Sequence, residues 1–300
     1  MRRLVSIGEC MIEMSGGTGG EYRMGFAGDT LNAAYYARAG LGGDWQVDYL
    51  SAVGDDLYSG QMRNFLQSRR IGTAHVKTIP GKRPGLYLIH QADGDRHFTY
   101  WRDSSAARLL ADDPAALDAG LAGAELVYFS GISLAILSEP ARNSLYEALK
   151  RARDAGAKIA FDPNVRPALW MDMEAMKAEI ARAATHCDFA FPTLSDEKGL
   201  FGDADAEACA ARYRDWGAGE VVVRNGAANA LVASDGGEVS VPAEKVPYPI
   251  DPTGAGDSFS GAYLAARLSG STAEAAAKRA HKVASIVIQH PGALVPLDLF

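Results

Sequence analysis

The chain has 300 residues, 48% hydrophobic and 22% charged, with 32 Gly and 13 Pro, an ordinary globular composition that excludes disorder, collagen and coiled coil. Thirty Lys and Arg against 37 Asp and Glu leave a net charge of −7, so there is no basic footprint, and neither nucleic acid nor an anionic membrane is expected as a partner. Cys10, Cys187 and Cys209 are too few and too scattered for a disulfide framework or a zinc site, which fits a reducing, cytoplasmic setting, and nowhere do 18 apolar residues run together to form a span.

The opening MRRLVSIGECMIEM is basic and then apolar, but Glu9 and Glu13 interrupt it, so a first strand over Leu4 to Ile12 is expected in place of a leader. A glycine cluster, Gly16 to Gly20, precedes a helix over Gly28 to Gly40 with Leu31, Ala34, Tyr35 and Ala39 on one face. Val47 to Val53 is a second strand. Asp55 to Arg70 is a second helix, striped by Leu57, Met62, Phe65 and Leu66. Between His75 and Tyr100 the rhythm changes to short β-like pieces, His75 to Ile79, Leu86 to His90 and Arg96 to Trp101, separated by the turn chemistry of PGKRPG and DGD. Alternation then resumes with a strand at Glu125 to Phe129, a helix at Ser138 to Asp154 and a strand at Lys158 to Phe161. Ser138 as N-cap, Pro140 in the first turn, a basic last turn and Gly156 beyond it agree on that helix's bounds.

Further units follow at Met173 to Ala184 (helix), Asp188 to Phe191 (strand), Ala204 to Trp216 (helix), Glu220 to Val223 and Ala230 to Ala233 (strands), and Asp257 to Leu268 and Thr272 to Gln289 (helices). Strands alternating with such helices predict an α/β fold, a doubly wound and mostly parallel sheet with helices on both faces. The hairpin block does not fit that alternation and is expected as a small β lid, built from about 12–26 and 75–105, on one domain spanning 1–300. An exposed lid edge is a pairing surface, so a homo-oligomer, most simply a homodimer, is expected.

The segment Asp251 to Ala262, DPTGAGDSFSGA, joins a β-like stretch to a helix. Gly254, Ala255 and Gly256 let backbone N–H groups approach an anion at the positive end of that helix, a place suited to phosphate. Asp257 in the first turn has two readings. It can be a helix cap favoured by the dipole, or a carboxylate beside an anion hole that deprotonates a hydroxyl. No GxxxxGK[ST], GxSxG, HExxH or true GxGxxG after the first strand occurs, which leaves four common enzyme chemistries without support. Six histidines do not cluster at ligand spacing.

DPTGAGDSFSGA, with AGDTLNAA from Ala27 about 220 residues ahead of it, resembles the paired signatures of the ribokinase-like carbohydrate kinases, the PfkB family. GECMIEM, GDTLN, PGLYLI, YWR, SGISLAIL and DPNVRPALW spread the likeness over most of the chain, and they are similar to the branch of the family that acts on 2-keto-3-deoxygluconate. The resemblance implies a ribokinase-like fold with a β lid and transfer of the ATP γ-phosphoryl group, with Mg²⁺, to the carbon-six hydroxyl of that sugar acid.

By the same resemblance Asp257 is the general base and Gly254, Ala255 and Gly256 the anion hole. Gly28, Asp29, Thr30, Leu31 and Asn32 match the sugar-contacting segment, and Tyr87, Tyr100, Trp101 and Arg102 match lid residues over the substrate. Asn164 and Arg166 match positions near both nucleotide and acceptor, and Arg224, Asn225 and Gly226 match the strand-end loop along ATP. Where the family often carries Asn-x-x-Glu, this chain has Leu194, Ser195, Asp196 and Glu197, which keeps only Glu197 as a residue behind the metal. A monovalent cation beside the Asp251 loop occurs in some members and stays open here. A sugar acid needs a cationic partner for its carboxylate, and Arg102 and Arg166 are the candidates. The alternatives are a fructokinase or ribokinase of the same family, which those arginines disfavour, and a catalytically silent sugar-binding regulator, which an intact Asp257 disfavours.

Overall fold

A computed structural model of the chain describes residues 1–16, 20–92 and 95–300. The N-terminal third holds β1 (Arg2–Ile7), β2 (Met11–Gly16), β3 (Tyr22–Ala27), α1 (Asp29–Gly40), β4 (Trp45–Val53), α2 (Leu57–Ser68), β5 (Ile71–Gly72), β6 (Val76–Thr78), β7 (Leu86–Ala92) and β8 (Asp95–Trp101). The middle holds α3 (Pro114–Leu121), β9 (Leu126–Ser130), α4 (Gly131–Ala135), α5 (Glu139–Asp154), β10 (Lys158–Asp162), α6 (Met173–Ala184), β11 (Phe189–Ala190), α7 (Leu194–Phe201) and α8 (Ala206–Asp215). The chain ends with β12 (Glu220–Val223), β13 (Ala230–Ser234), β14 (Gly237–Val241), α9 (Ala255–Leu268) and α10 (Ala273–Val287).

Most strands form one sheet in the order β14-β13-β12-β11-β10-β9-β1-β4-β5, with β6 also on β4. Pairing is parallel from β12 through β5, and β13 and β14 close the far edge antiparallel. Both faces are buried. Val5, Ile7, Val127, Phe129, Ile159 and Phe161 enter one apolar cluster, and Leu4, Leu126, Tyr128 and Ala160 enter the other. Alternate residues of each strand therefore face different helix layers, which is why these strands read as nearly continuous apolar runs. A second sheet, β3-β2-β7-β8, stands apart and contributes only a small cluster of Met11, Ala27, Tyr87 and Ile89.

Two expectations need correction. The run Leu4 to Ile12 is not one strand: β1 stops at Ile7, and Gly8, Glu9 and Cys10 carry the chain across to β2 in the other sheet. The piece around His75 to Ile79 does not join the hairpins, because Val76, Lys77 and Thr78 pair in parallel with Ser51, Ala52 and Val53 of the main sheet. The helices α3, α4 and α7, of five to eight residues, are additions. They are too short for a hydrophobic period to register. The strand β14 is also an addition, formed where Gly237 turns the chain back onto β13. The glycine cluster and the DGD turn fall in part on 17–19 and 93–94, outside the described residues.

Candidate active site

The C-terminal ends of β1, β9, β10, β11 and β12 open on one side of the main sheet, and the inner face of the small sheet looks at them across a cleft of about 850 Å³. Ligands of doubly wound sheets sit outside such strand ends. The cleft wall includes Gly28, Asp29, Asn32, Tyr87, Tyr100, Arg102, Asn164, Arg166, Arg224, Gly254, Gly256 and Asp257. Twelve of the residues singled out from sequence are thus brought together from six separate stretches of chain.

The helix α9 starts two residues earlier than expected, at Ala255, behind Gly254 in the left-handed region at φ 75°. This places Asp257 in the first turn. The Ala255 N–H is given to Pro252 O at 3.1 Å, so the donors heading the helix are those of Gly256 and Asp257. Helices α1 and α9 approach closely because position 261 lacks a side chain: a Cβ on Gly261 would lie 2.2 Å from Ala33 O. That approach brings Asn32 Nδ2 to 2.8 Å from Asp257 Oδ2.

Asp257 shares the floor with two other carboxylates. Asp29 accepts from Asn164 Nδ2 at 2.9 Å, and the Asn164 N–H donates to Asp162 Oδ1 at 3.1 Å, with Asn164 itself held at φ 35°. Arg224 grips Asp162 with both terminal nitrogens at 2.7 and 2.8 Å and also donates to Ser260, Phe191 O and Thr193. One arginine thus faces three acids. Burial first, and then the like charge of Asp29, pushes the Asp257 carboxyl up to about 7, while Asn32 and Arg224 oppose the rise. Burial also raises Asp29.

If Asp257 must be ionised to accept a proton, kcat/KM of the free enzyme should climb about tenfold per pH unit below about 7 and level off above it. A profile flat from pH 5.5 to 8 would remove that requirement.

On the small sheet, strand alternation turns Tyr100 to the cleft and Trp101 away from it, with Trp101 55% exposed. The Tyr87 hydroxyl donates to Glu13. Arg102 is buried and paired with Glu9, whereas Arg166 is exposed at the cleft edge, donates only to Val165 O, and has no acidic partner among the described residues. Arg166 does exert its charge on Tyr100 and Asp196, lowering both against the upward push of burial. Other residues lie off the cleft wall. The Thr30 hydroxyl bonds Tyr49 at 2.9 Å, Leu31 is in the core, and Asn225 and Gly226 are exposed beyond β12. Glu197 is enclosed by Arg212 at 2.8 Å and Tyr213 at 3.0 Å, and its neighbour Asp196 reaches the cleft.

Sequence reasoning passed over Glu9, Asp162 and Asp196. The readable signal was a lone acid ending an apolar strand, as in KIAFD, where only a special partner tolerates burial.

A match to the pfkB family carbohydrate kinase domain covers residues 1–298. A 2-dehydro-3-deoxygluconokinase of Escherichia coli strain K12 is 43% identical, over 99% of this chain and 98% of that protein. A protein of the same name from Dickeya dadantii strain 3937 is 40% identical over 99% and 98%. The crystal structure of a PfkB protein from Polaromonas sp. JS666 superposes with a TM-score of 0.87 at 27% identity, covering all of this chain and 99% of the other.

Proposed function

Because the chain belongs to the pfkB family of carbohydrate kinases, we propose that it phosphorylates 2-keto-3-deoxygluconate on the carbon-six hydroxyl, with Asp257 as the general base. The supporting observation is the pairing of two features across one cleft: a buried carboxyl raised to about 7 at a helix N-terminus, and an unpartnered Arg166 at the rim facing the small sheet. A neutral sugar offers Arg166 only single hydroxyl acceptors, whereas the carboxylate of a sugar acid carries opposite charge and matches its planar fork.

In this reading the attacking hydroxyl passes its proton to Asp257 as its oxygen bonds the γ-phosphorus, and the bond from that phosphorus to the bridging oxygen breaks to release ADP. The N–H groups heading α9 take up charge on the transferring group. ATP is the donor that the family implies, and Mg²⁺ would neutralise its phosphates. The donor set fits a hydrated Mg²⁺: Asp196 offers a carboxylate at the cleft, and Glu197 behind it anchors α7 to Arg212 and Tyr213. Arg224 orders the floor through Asp162, with Asn225 and Gly226 following it as the outward loop on the nucleotide side. The small sheet acts as the lid, and ATP supply places the reaction in the cytoplasm.

The direct test is ATP turnover with Mg²⁺ over 2-keto-3-deoxygluconate, gluconate, fructose, ribose and no sugar. A kcat/KM for the keto-deoxy acid well above the rest is expected. Preference for fructose or ribose would discard the substrate while keeping the kinase.

A further inference from the structure

Among the described residues, Glu9 Oε1 and Arg102 Nε are buried without a hydrogen-bond partner in good geometry and meet in one place, beside Ser105. Glu9 is 2% exposed and Arg102 7%, yet both belong to the cleft wall. Arg102 reaches Glu9 through Nη2 and packs its guanidinium carbon 5.9 Å from the Tyr100 ring centre. One side of the Glu9 carboxylate is closed by backbone. A side chain on residue 85 would set its Cβ 2.7 Å from Glu9 Oε1, so Gly85 walls the carboxylate in. Glu9 also sits on the crossing between the two sheets, and Arg102 just after β8, so the pair ties the small sheet to the end of β1.

From this geometry we infer that Glu9 is a positioning residue: it cancels the charge of Arg102 and fixes the plane in which that guanidinium meets the sugar, leaving net cationic attraction to Arg166. The inference rests on the proposed acceptor side of the cleft, not on the identity of the sugar. An arginine on a flexible stem loses rotamer freedom whenever it binds a ligand, and Glu9 removes that cost in advance. Such a group serves direction. It adds little to long-range attraction, because the pair is neutral as a unit.

The test is a cycle of E9Q, R102M and E9Q/R102M, run with whichever sugar the panel shows to be turned over best, so that a wrong substrate is exposed by the panel and leaves the cycle readable. E9Q should raise the sugar KM about fivefold or more, the cost of ordering one long side chain. Its kcat should change by less than about twofold, and KM for ATP should stay in place. Added to R102M, E9Q should leave the sugar KM where it was, while raising Tm by removing the unpaired charge that R102M strands on Glu9. Equal losses from E9Q in both backgrounds, a tighter sugar KM in E9Q, or parallel falls in kcat and both KM terms would each overturn the inference. Should E9Q alone fail to fold, the double variant leaves no buried charge unpaired, and a sugar KM differing from that of R102M would overturn it equally.

Discussion

Asp257→Asn should lower kcat by about 10² to 10⁴, the usual reach of general-base catalysis, while leaving the sugar KM within a few fold. The Asn side chain keeps the volume and polarity of the site and can still bond Asn32, so binding has no reason to fail. The same substitution should raise stability above neutral pH. A carboxyl whose folded value is raised from 3.8 to about 7 binds its proton more tightly folded than unfolded. Stability is therefore lost as pH rises through that window, by on the order of 4 kcal/mol, and Asn carries no such loss. Activity falling while Tm at pH 8 rises is a pattern that a helix-dipole carboxylate would not produce, since losing its charge lowers Tm and leaves kcat in place. Unchanged kcat would remove Asp257 from the role of base.

Arg166→Ala should cost the keto-deoxy acid about tenfold to a hundredfold in kcat/KM, the worth of a charge-assisted pair, and leave a neutral hexose nearly unaffected. Equal losses for acid and hexose would mean that Arg166 does not meet the carboxylate. The two arginines are not equivalent for this experiment. Arg102→Ala strands Glu9 as a buried, unpaired charge, a change that typically costs about 3 to 5 kcal/mol of stability, so its kinetics would mix specificity with unfolding. Arg166 has no ion pair among the described residues, so its loss strands no buried charge, and any effect through Asp196 would fall on acid and hexose alike.

The parallel sheet was legible because each central strand is buried on both faces, which produces unbroken apolar runs between amphipathic helices. The break at Gly8 to Cys10 was hidden because both halves of Leu4 to Ile12 are apolar although they serve different sheets. The strand β6 looked like hairpin material for a related reason: three residues carry no period, and only the chain's return to β4 decides its partner. Within the site, Asp257 could be singled out because it follows glycines at a helix start, and Asp29 and Asn32 because their segment resembles the family's first signature. Asp162 and Glu9 could not, since their meaning lies in Arg224 and Arg102, partners 62 and 93 residues away.

The two sheets differ in how deeply their backbones are protected. The main sheet is sealed by helices on both sides, whereas the small one rests on Met11, Ala27, Tyr87 and Ile89 and exposes Tyr22, Met24, Tyr100 and Trp101. Its amides should therefore exchange with solvent through local opening, at a free energy well below that of global unfolding. A ligand that touches both sheets stabilises only the closed form, in proportion to the logarithm of its concentration. Deuterium uptake along β2, β7 and β8 is accordingly a gauge of site occupancy that needs no turnover at all.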